Sequence, residues 1–186
     1  MGELIIAANS LDMRVPTHKD VKAMYSKLMS DPRVMAFCPW ERHTSVEATH
    51  EFLNSELKRM ESGEYLALGM YLDDFTYGKN RGRFCGYLTI EKSLTSDVAS
   101  IAFAVSLPKQ RQGYGEDALS AATVYALQKL GAVSVTVPVP MTNAAARRVL
   151  EKAGYSQQYW FASTWKGVPK TRMLRYSYTL HQFNER

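Results

Sequence analysis

Residues 110–119 read QRQGYGEDAL, and they decide the fold because two periodicities meet there. Upstream, VASIAFAVSL (98–107) alternates as a strand does. Downstream, Ala118, Leu119, Ala122, Ala126 and Leu130 recur at helical spacing until Gly131 stops the helix. A strand that feeds a helix through Gly113 and Gly115 makes an anion site: the first-turn N–H groups lack intrahelical partners, the positive end of the dipole lies behind them, and glycines let an oxyanion come close. A plain turn that uses glycine only for its geometry is the competing reading. Glu116 and Asp117 support the helix dipole but do not favour a phosphate.

Two nucleotide-loop patterns can be tested on the same residues. Gly113, Gly115 and Ala118 match GxGxxA, but a dinucleotide site needs a carboxylate about 20 positions on, at the end of the next strand. Here that stretch reads VSVTVPVPM. The loop also follows antiparallel strands rather than opening a β-α-β unit, and no Gly-Lys-Ser/Thr follows it.

Working outward, YLALGMYL (65–72), RFCGYLTIEK (83–92) and VASIAFAVSL form an antiparallel meander. On its last strand Ile101, Phe103, Val105 and Leu107 take one side, and Ala102, Ala104 and Ser106 leave the other open to close approach. Before the meander come a short strand and two helices. The first starts at a Thr17–Asp20 capping box and is ended by Asp31-Pro32. The second starts at Thr44–Glu47, carries Val46, His50, Leu53, Leu57 and Met60 on its apolar face and stops at Gly63; His50 reads as a half-buried structural residue. After the glycine loop come AVSVTVPVP, with Val133, Val135, Val137 and Val139 on one face, the helix NAAARRVLEKAG (143–154), and a hairpin turning at Lys166-Gly167. On its second strand Leu174, Tyr176 and Tyr178 share a face with Leu180. The expectation is a mixed α/β (α+β) sheet flanked by helices, in one domain spanning 1–186.

The chain has 186 residues, 46% hydrophobic and 22% charged, enough to bury a core without a staple. Cys38 and Cys85 stand alone, without CxxC or histidines at ligand spacing, so a disulfide framework and a metal site are both unsupported. No apolar run reaches the roughly 18 residues of a membrane span, and MGELIIAANS has no basic leader. A cytoplasmic protein without membrane contact is expected. A surplus of 23 basic over 18 acidic residues favours anionic partners. The densest cluster, GKNRGR (78–83), reads as a solvated turn rather than a nucleic-acid contact.

Gln110-Arg111-Gln112-Gly113-Tyr114-Gly115 resembles the Q/R-x-x-G-x-G/A pyrophosphate loop of the GCN5-related N-acetyltransferases (GNAT). NAAARRVLEKAGY (143–155) looks like that family's following segment, and FCPWERHTSVEATHEFL (37–53) resembles its ribosomal-protein alanine/serine N-terminal acetyltransferase branch. The resemblance covers nearly the whole chain. It implies acetyl-CoA as cosubstrate, with the pyrophosphate on the amides around Gln110, Gln112, Gly113, Tyr114, Gly115 and Glu116. The pantetheine arm would run along the strand at Val105 and Leu107, in a splay opened by a bulge. Asn143 would cap its helix, bond the arm, or both. A backbone N–H near Val105 would hold the oxyanion.

The familiar thiolate partners of that family are replaced by Leu150 and Ala146, and its strand glutamate by Ala99-Ser100. Glu91 is then the nearest carboxylate for a catalytic base, against a solvated strand end. Trp40 is the first choice for a substrate wall, Trp165 a second residue bordering that cleft, and His43 a capping or surface residue. Deprotonating a lysine amine at pH 7 costs roughly 4.6 kcal/mol, an α-amine about 1 kcal/mol. A site without a strong base therefore favours a protein or peptide N-terminus, acetylated by direct attack in a ternary complex by a monomer or homodimer. A small-molecule amine acceptor and a non-catalytic acyl-CoA-binding module are the alternatives.

Overall fold

A computed structural model describes residues 3–72 and 82–185 of the chain. Residues 78–81 of the basic turn expected at 78–83 lie outside the described residues. Eight strands form one sheet in the order β1-β2-β3-β4-β5-β6-β8-β7. They are β1 (Leu4–Ala7), β2 (Leu11–Arg14), β3 (Tyr65–Leu72), β4 (Phe84–Lys92), β5 (Val98–Val105), β6 (Ser134–Pro140), β7 (Ser156–Trp165) and β8 (Val168–Thr179). Every neighbouring pair is antiparallel except β5 and β6. The mixed sheet and the meander are as the periodicity predicts; the opening strand is in fact a hairpin.

Helices cover both faces. On one, α1 (Val21–Met24) runs into a π-helical turn, Tyr25–Met29, followed by α2 (Pro32–Met35) and α3 (Val46–Met60). Met24, Leu28, Met35, Ala67, Tyr87 and Ala104 build the core beneath them. On the other face lie α4 (Tyr114–Gln128), α5 (Ala144–Lys152) and the terminal turn α6 (Leu180–Asn184). Their core joins Ala118, Leu119, Ala122 and Leu150 to Ile101, Val105, Val135, Val137, Leu174 and Tyr176.

Several local expectations change. The Asp20 carboxylate accepts from the Thr17 N–H, as a capping box requires, and from the Thr17 hydroxyl as well. Asp31-Pro32 does not merely end a helix, because the Asp31 carboxylate caps α2 through the Arg33 N–H at 2.9 Å. Ser45, not Thr44, caps α3, its hydroxyl accepting from the Ala48 N–H at 3.1 Å. The buried face of α3 is Thr49, Leu53 and Glu56, so His50 is exposed and stacks on His18 with ring centroids 4.7 Å apart. Val133 lies outside β6 and is half-exposed. Leu107 leaves the Ile101–Val105 face, because β5 stops at Val105 and Leu107–Lys109 form a 3₁₀ turn that packs Leu107 against the opposite core.

Candidate functional site

Among the described residues the sheet opens between β5 and β6. β5 and β6 pair through Val98 with Ser134, Ala99 with Val135 and Ser100 with Thr136, and no further, although β5 runs on to Val105 and β6 to Pro140. Pro138 and Pro140 have no N–H to donate, so β6 cannot extend a ladder through either. The register of β5 with β4 is unbroken from Ala99 to Val105. The bulge expected to open the splay is therefore absent, and the strands part by divergence alone. The Ser106 N–H donates to the Cys85 carbonyl at 2.8 Å. Because successive amides point to opposite edges of a strand, the Val105 N–H faces the gap.

The glycine loop closes the end of this gap. Gln110 Nε2 donates to the Val105 carbonyl at 3.0 Å and Gln112 Nε2 to the Pro108 carbonyl at 2.9 Å, which folds the loop back on the strand that precedes it. Gly113, with φ +85°, stands before α4 in the left-handed region, and a Cβ there would meet nothing within 4 Å. Its surroundings are open to a ligand. A Cβ on Gly115 would lie in ordinary contact with Phe103, Val105 and Val149 at 3.5–3.7 Å, so the start of α4 packs closely on β5 and α5 here. Tyr114 contributes only backbone here, since its side chain is buried in the core. The Asp117 carboxylate is turned away from the loop. It accepts from the N–H groups of Asn9 (3.1 Å) and Ser10 (2.7 Å), from Asn9 Nδ2 (3.1 Å) and from the Ser10 hydroxyl (2.6 Å).

Asn143, three residues past the end of β6, caps α5: its Oδ1 accepts from the Ala146 N–H at 3.1 Å. Leu150 is fully buried core and Ala146 packs against the same core, so neither position offers a hydroxyl. Glu91 is not at the gap. It pairs with Ser100 on β5, five positions from Val105, and meets Arg59 at 3.2 Å in an exposed ion pair. Among the described residues no group of three or more His, Cys, Asp or Glu side chains could hold a metal.

On the α1–α3 face, Trp40 packs on Tyr87 in a T-shaped pair (centroids 5.1 Å apart), as does Phe52 at 5.7 Å. The Tyr87 hydroxyl donates to the buried Glu56 carboxylate at 2.9 Å, Tyr65 donates to the same oxygen, and Arg59 reaches the other at 3.3 Å. Burial, and then the Glu56 charge, hold the Tyr87 phenol well above its ordinary value. The signal for Glu56 is its spacing: three residues from Leu53 and four from Met60, it falls on the buried side of α3 despite its charge.

His43 is buried rather than at the surface. Its Nδ1 lies 2.9 Å from the Thr49 hydroxyl, and burial lowers its pKa. Burial pushes the thiols of Cys38 and Cys85 up to about 12.

A groove of about 410 Å³ runs between the 38–41 loop and the C-terminal hairpin, lined by Cys38, Pro39, Pro138, Trp165, Met173 and Arg175 among others. Lys166 donates to the Trp40 carbonyl, lies 3.4 Å from Glu41, and so ties the hairpin turn to the loop. Trp165 Nε1 donates to the Ala36 carbonyl at 3.2 Å. Trp165 thus borders this cleft, with Trp40 held behind it against Tyr87.

The sequence profile described as the acetyltransferase (GNAT) domain matches residues 10–156. No curated protein matches the chain. The fold is similar to solved structures over nearly its full length. One is an acetyltransferase of Salmonella typhimurium that modifies the N-terminal serine of the 50S ribosomal subunit protein L7/L12 (14% identity, TM-score 0.81, 96% of this chain and 99% of that one). Another is Mycobacterium smegmatis RimJ in complex with CoA-disulfide (17%, 0.80, 97% and 87%). A third is a GNAT-family acetyltransferase of Bacillus anthracis (20%, 0.78, 94% and 97%).

Proposed function

Because the chain belongs to the GNAT acetyltransferase family, we propose that this acyltransferase moves the acetyl group of acetyl-CoA to the free α-amine of a protein or peptide N-terminus. The observation that carries the reading is the gap itself: β5 and β6 pair for three residues and part beside the open Gly113 loop. The residues fit the cosubstrate. The amides of 112–116, at the positive end of α4, would receive the pyrophosphate, and the arm would enter the gap beside β5. Its thioester supplies an activated acetyl carbon.

The Val105 N–H would hold the carbonyl oxygen as it gains charge during attack. The amine nitrogen bonds to the carbonyl carbon, the C–S bond breaks, and the proton lost by nitrogen balances the one taken by the departing thiolate. Asn143 spends its Oδ1 on the α5 cap and so acts by fixing the helix that follows β6. Burial keeps the Cys38 and Cys85 thiols protonated near neutral pH, which supports direct attack in a ternary complex over an acyl-enzyme on either cysteine.

The carboxylates near the sheet favour an α-amine over lysine. Glu91 is held by Arg59 in solvent, and Glu56 is committed to two tyrosines and an arginine. An amine that is partly neutral at pH 7 needs little help. The neighbours that modify protein N-termini support the same choice. Calorimetry with acetyl-CoA, followed by mass spectrometry of peptides carrying both a free N-terminus and lysines, tests the reading. Acetylation confined to the α-amine is expected; faster acetylation of lysine, or no binding of acetyl-CoA, overturns it.

A further inference from the structure

Among the described residues Arg175 is held by aromatic rings but pairs with no carboxylate. It stands on β8 directly opposite Pro138 of β6, two positions beyond the last β5–β6 pair, so it lies one strand away from the gap. Neighbouring strands are about 5 Å apart, and its flanking residues Leu174 and Tyr176 belong to the core under α4 and α5. The Arg175 side chain therefore emerges on the opposite face, in the groove between the 38–41 loop and the hairpin. There its guanidinium carbon sits 5.6 Å from the Tyr159 ring centroid and 5.5 Å from that of Phe161. Nε is shielded from solvent without a hydrogen-bond partner, and no carboxylate among the described residues forms an ion pair with it. The neighbouring Lys166 is already engaged by Trp40 and Glu41.

A guanidinium cannot shed its proton, and its fork of N–H groups matches a carboxylate. Two aromatic rings hold it in place, so it is oriented before anything binds. We infer that Arg175 receives a carboxylate carried by the acceptor close to the amine that is acetylated, and that this contact selects acidic acceptors. The inference rests on the acetyl-transfer reading above. Two sources share the chemistry: an Asp or Glu side chain early in a peptide, and the free carboxylate of an amino-acid-sized acceptor.

The test compares wild type with Arg175→Gln and Arg175→Lys on three acceptor pairs: a peptide with Asp at its second residue against Asn there, the same pair at the third residue, and an amino acid against its amide. Wild type should prefer the acidic member of one pair at least tenfold in kcat/KM, through KM. Arg175→Gln should bring that ratio near one, the loss falling on the acidic member, while leaving the KM for acetyl-CoA unchanged; Arg175→Lys should keep part of it, having the charge without the fork. Preference in a peptide pair identifies a side chain, and preference in the amino-acid pair a free carboxylate.

No preference in wild type, a preference that survives in Arg175→Gln, or an equal loss on acidic and neutral acceptors each overturns the assignment. If none of these amines is acetylated, the proposed function fails. Binding of the same pairs, measured by calorimetry with CoA present, then decides the Arg175 assignment separately: a charge preference abolished by Arg175→Gln sustains it, and its absence overturns it.

Discussion

Glu56 and Tyr87 share a hydrogen bond of 2.9 Å in the interior, between α3 and the middle of β4, with Tyr65 on the same carboxylate oxygen. This polar knot underlies the aromatic contact between Tyr87 and Trp40. Replacing Glu56 by Ala leaves two buried phenols without their acceptor, each exposed to a desolvation penalty of about 1–3 kcal/mol. Glu56→Ala should therefore lose about 2–4 kcal/mol in urea unfolding, and Glu56→Gln, which keeps an acceptor oxygen, distinctly less. Equal losses would mean that the site tolerates unpaired hydroxyls.

At Gly113 backbone and ligand requirements coincide. With φ at +85° and open space around the missing Cβ, Gly113→Ala should cost about 1 kcal/mol in stability through strain alone. Gly113→Trp should in addition place a side chain over the amides of 112–116 and abolish acetyl-CoA binding in calorimetry. A tryptophan variant that binds acetyl-CoA as wild type does would remove the loop from the site.

His43 makes stability depend on pH in a definite direction. Burial lowers its pKa below the unfolded value near 6.5, so between the two values the unfolded chain binds the extra proton. Stability from the neutral ring is fully present above about pH 6.5 and is lost as pH falls through the folded pKa. Melting temperatures taken from pH 7.5 to 5 should fall more steeply for wild type than for His43→Gln; parallel profiles would show that the ring does not titrate in this range.

Both thiols should be inert in the folded enzyme. With pKa values pushed up to about 12, almost no thiolate exists at pH 8. Iodoacetamide at that pH should leave both unlabelled and activity intact, whereas 6 M guanidinium should expose two labelling sites. Rapid native labelling of Cys38, which borders the groove, would contradict this.

What could be read from residues alone was local. The switch of period at Gly113 and Gly115 marks the loop because strand, turn and helix are each encoded within about ten residues. The Thr17–Asp20 cap and the Lys166-Gly167 turn are equally local. Glu91 reads as a site residue only by topology, because which end of β4 meets the gap depends on pairing register, and that register follows from contacts remote in sequence. The buried face of α3 departs from its apolar stripe for a different reason. Thr49 and Glu56 share a face with Leu53 but are polar, so a stripe of apolar residues leaves them out, yet each finds its polar partner inside, Thr49 at His43 and Glu56 at two tyrosines. Those pairings rotate the helix so that His50 faces outward.

The divergence of β5 from β6 has a kinetic consequence. The Gly113 loop and α4 lie toward one face of the sheet, and the Arg175 groove lies on the other. Two ligands that meet in such a gap approach from opposite sides and do not share a mouth, so neither must leave before the other can enter or depart. CoA should then inhibit competitively against acetyl-CoA alone, and an acetylated peptide competitively against the acceptor alone, with the sheet as the partition between the two approaches.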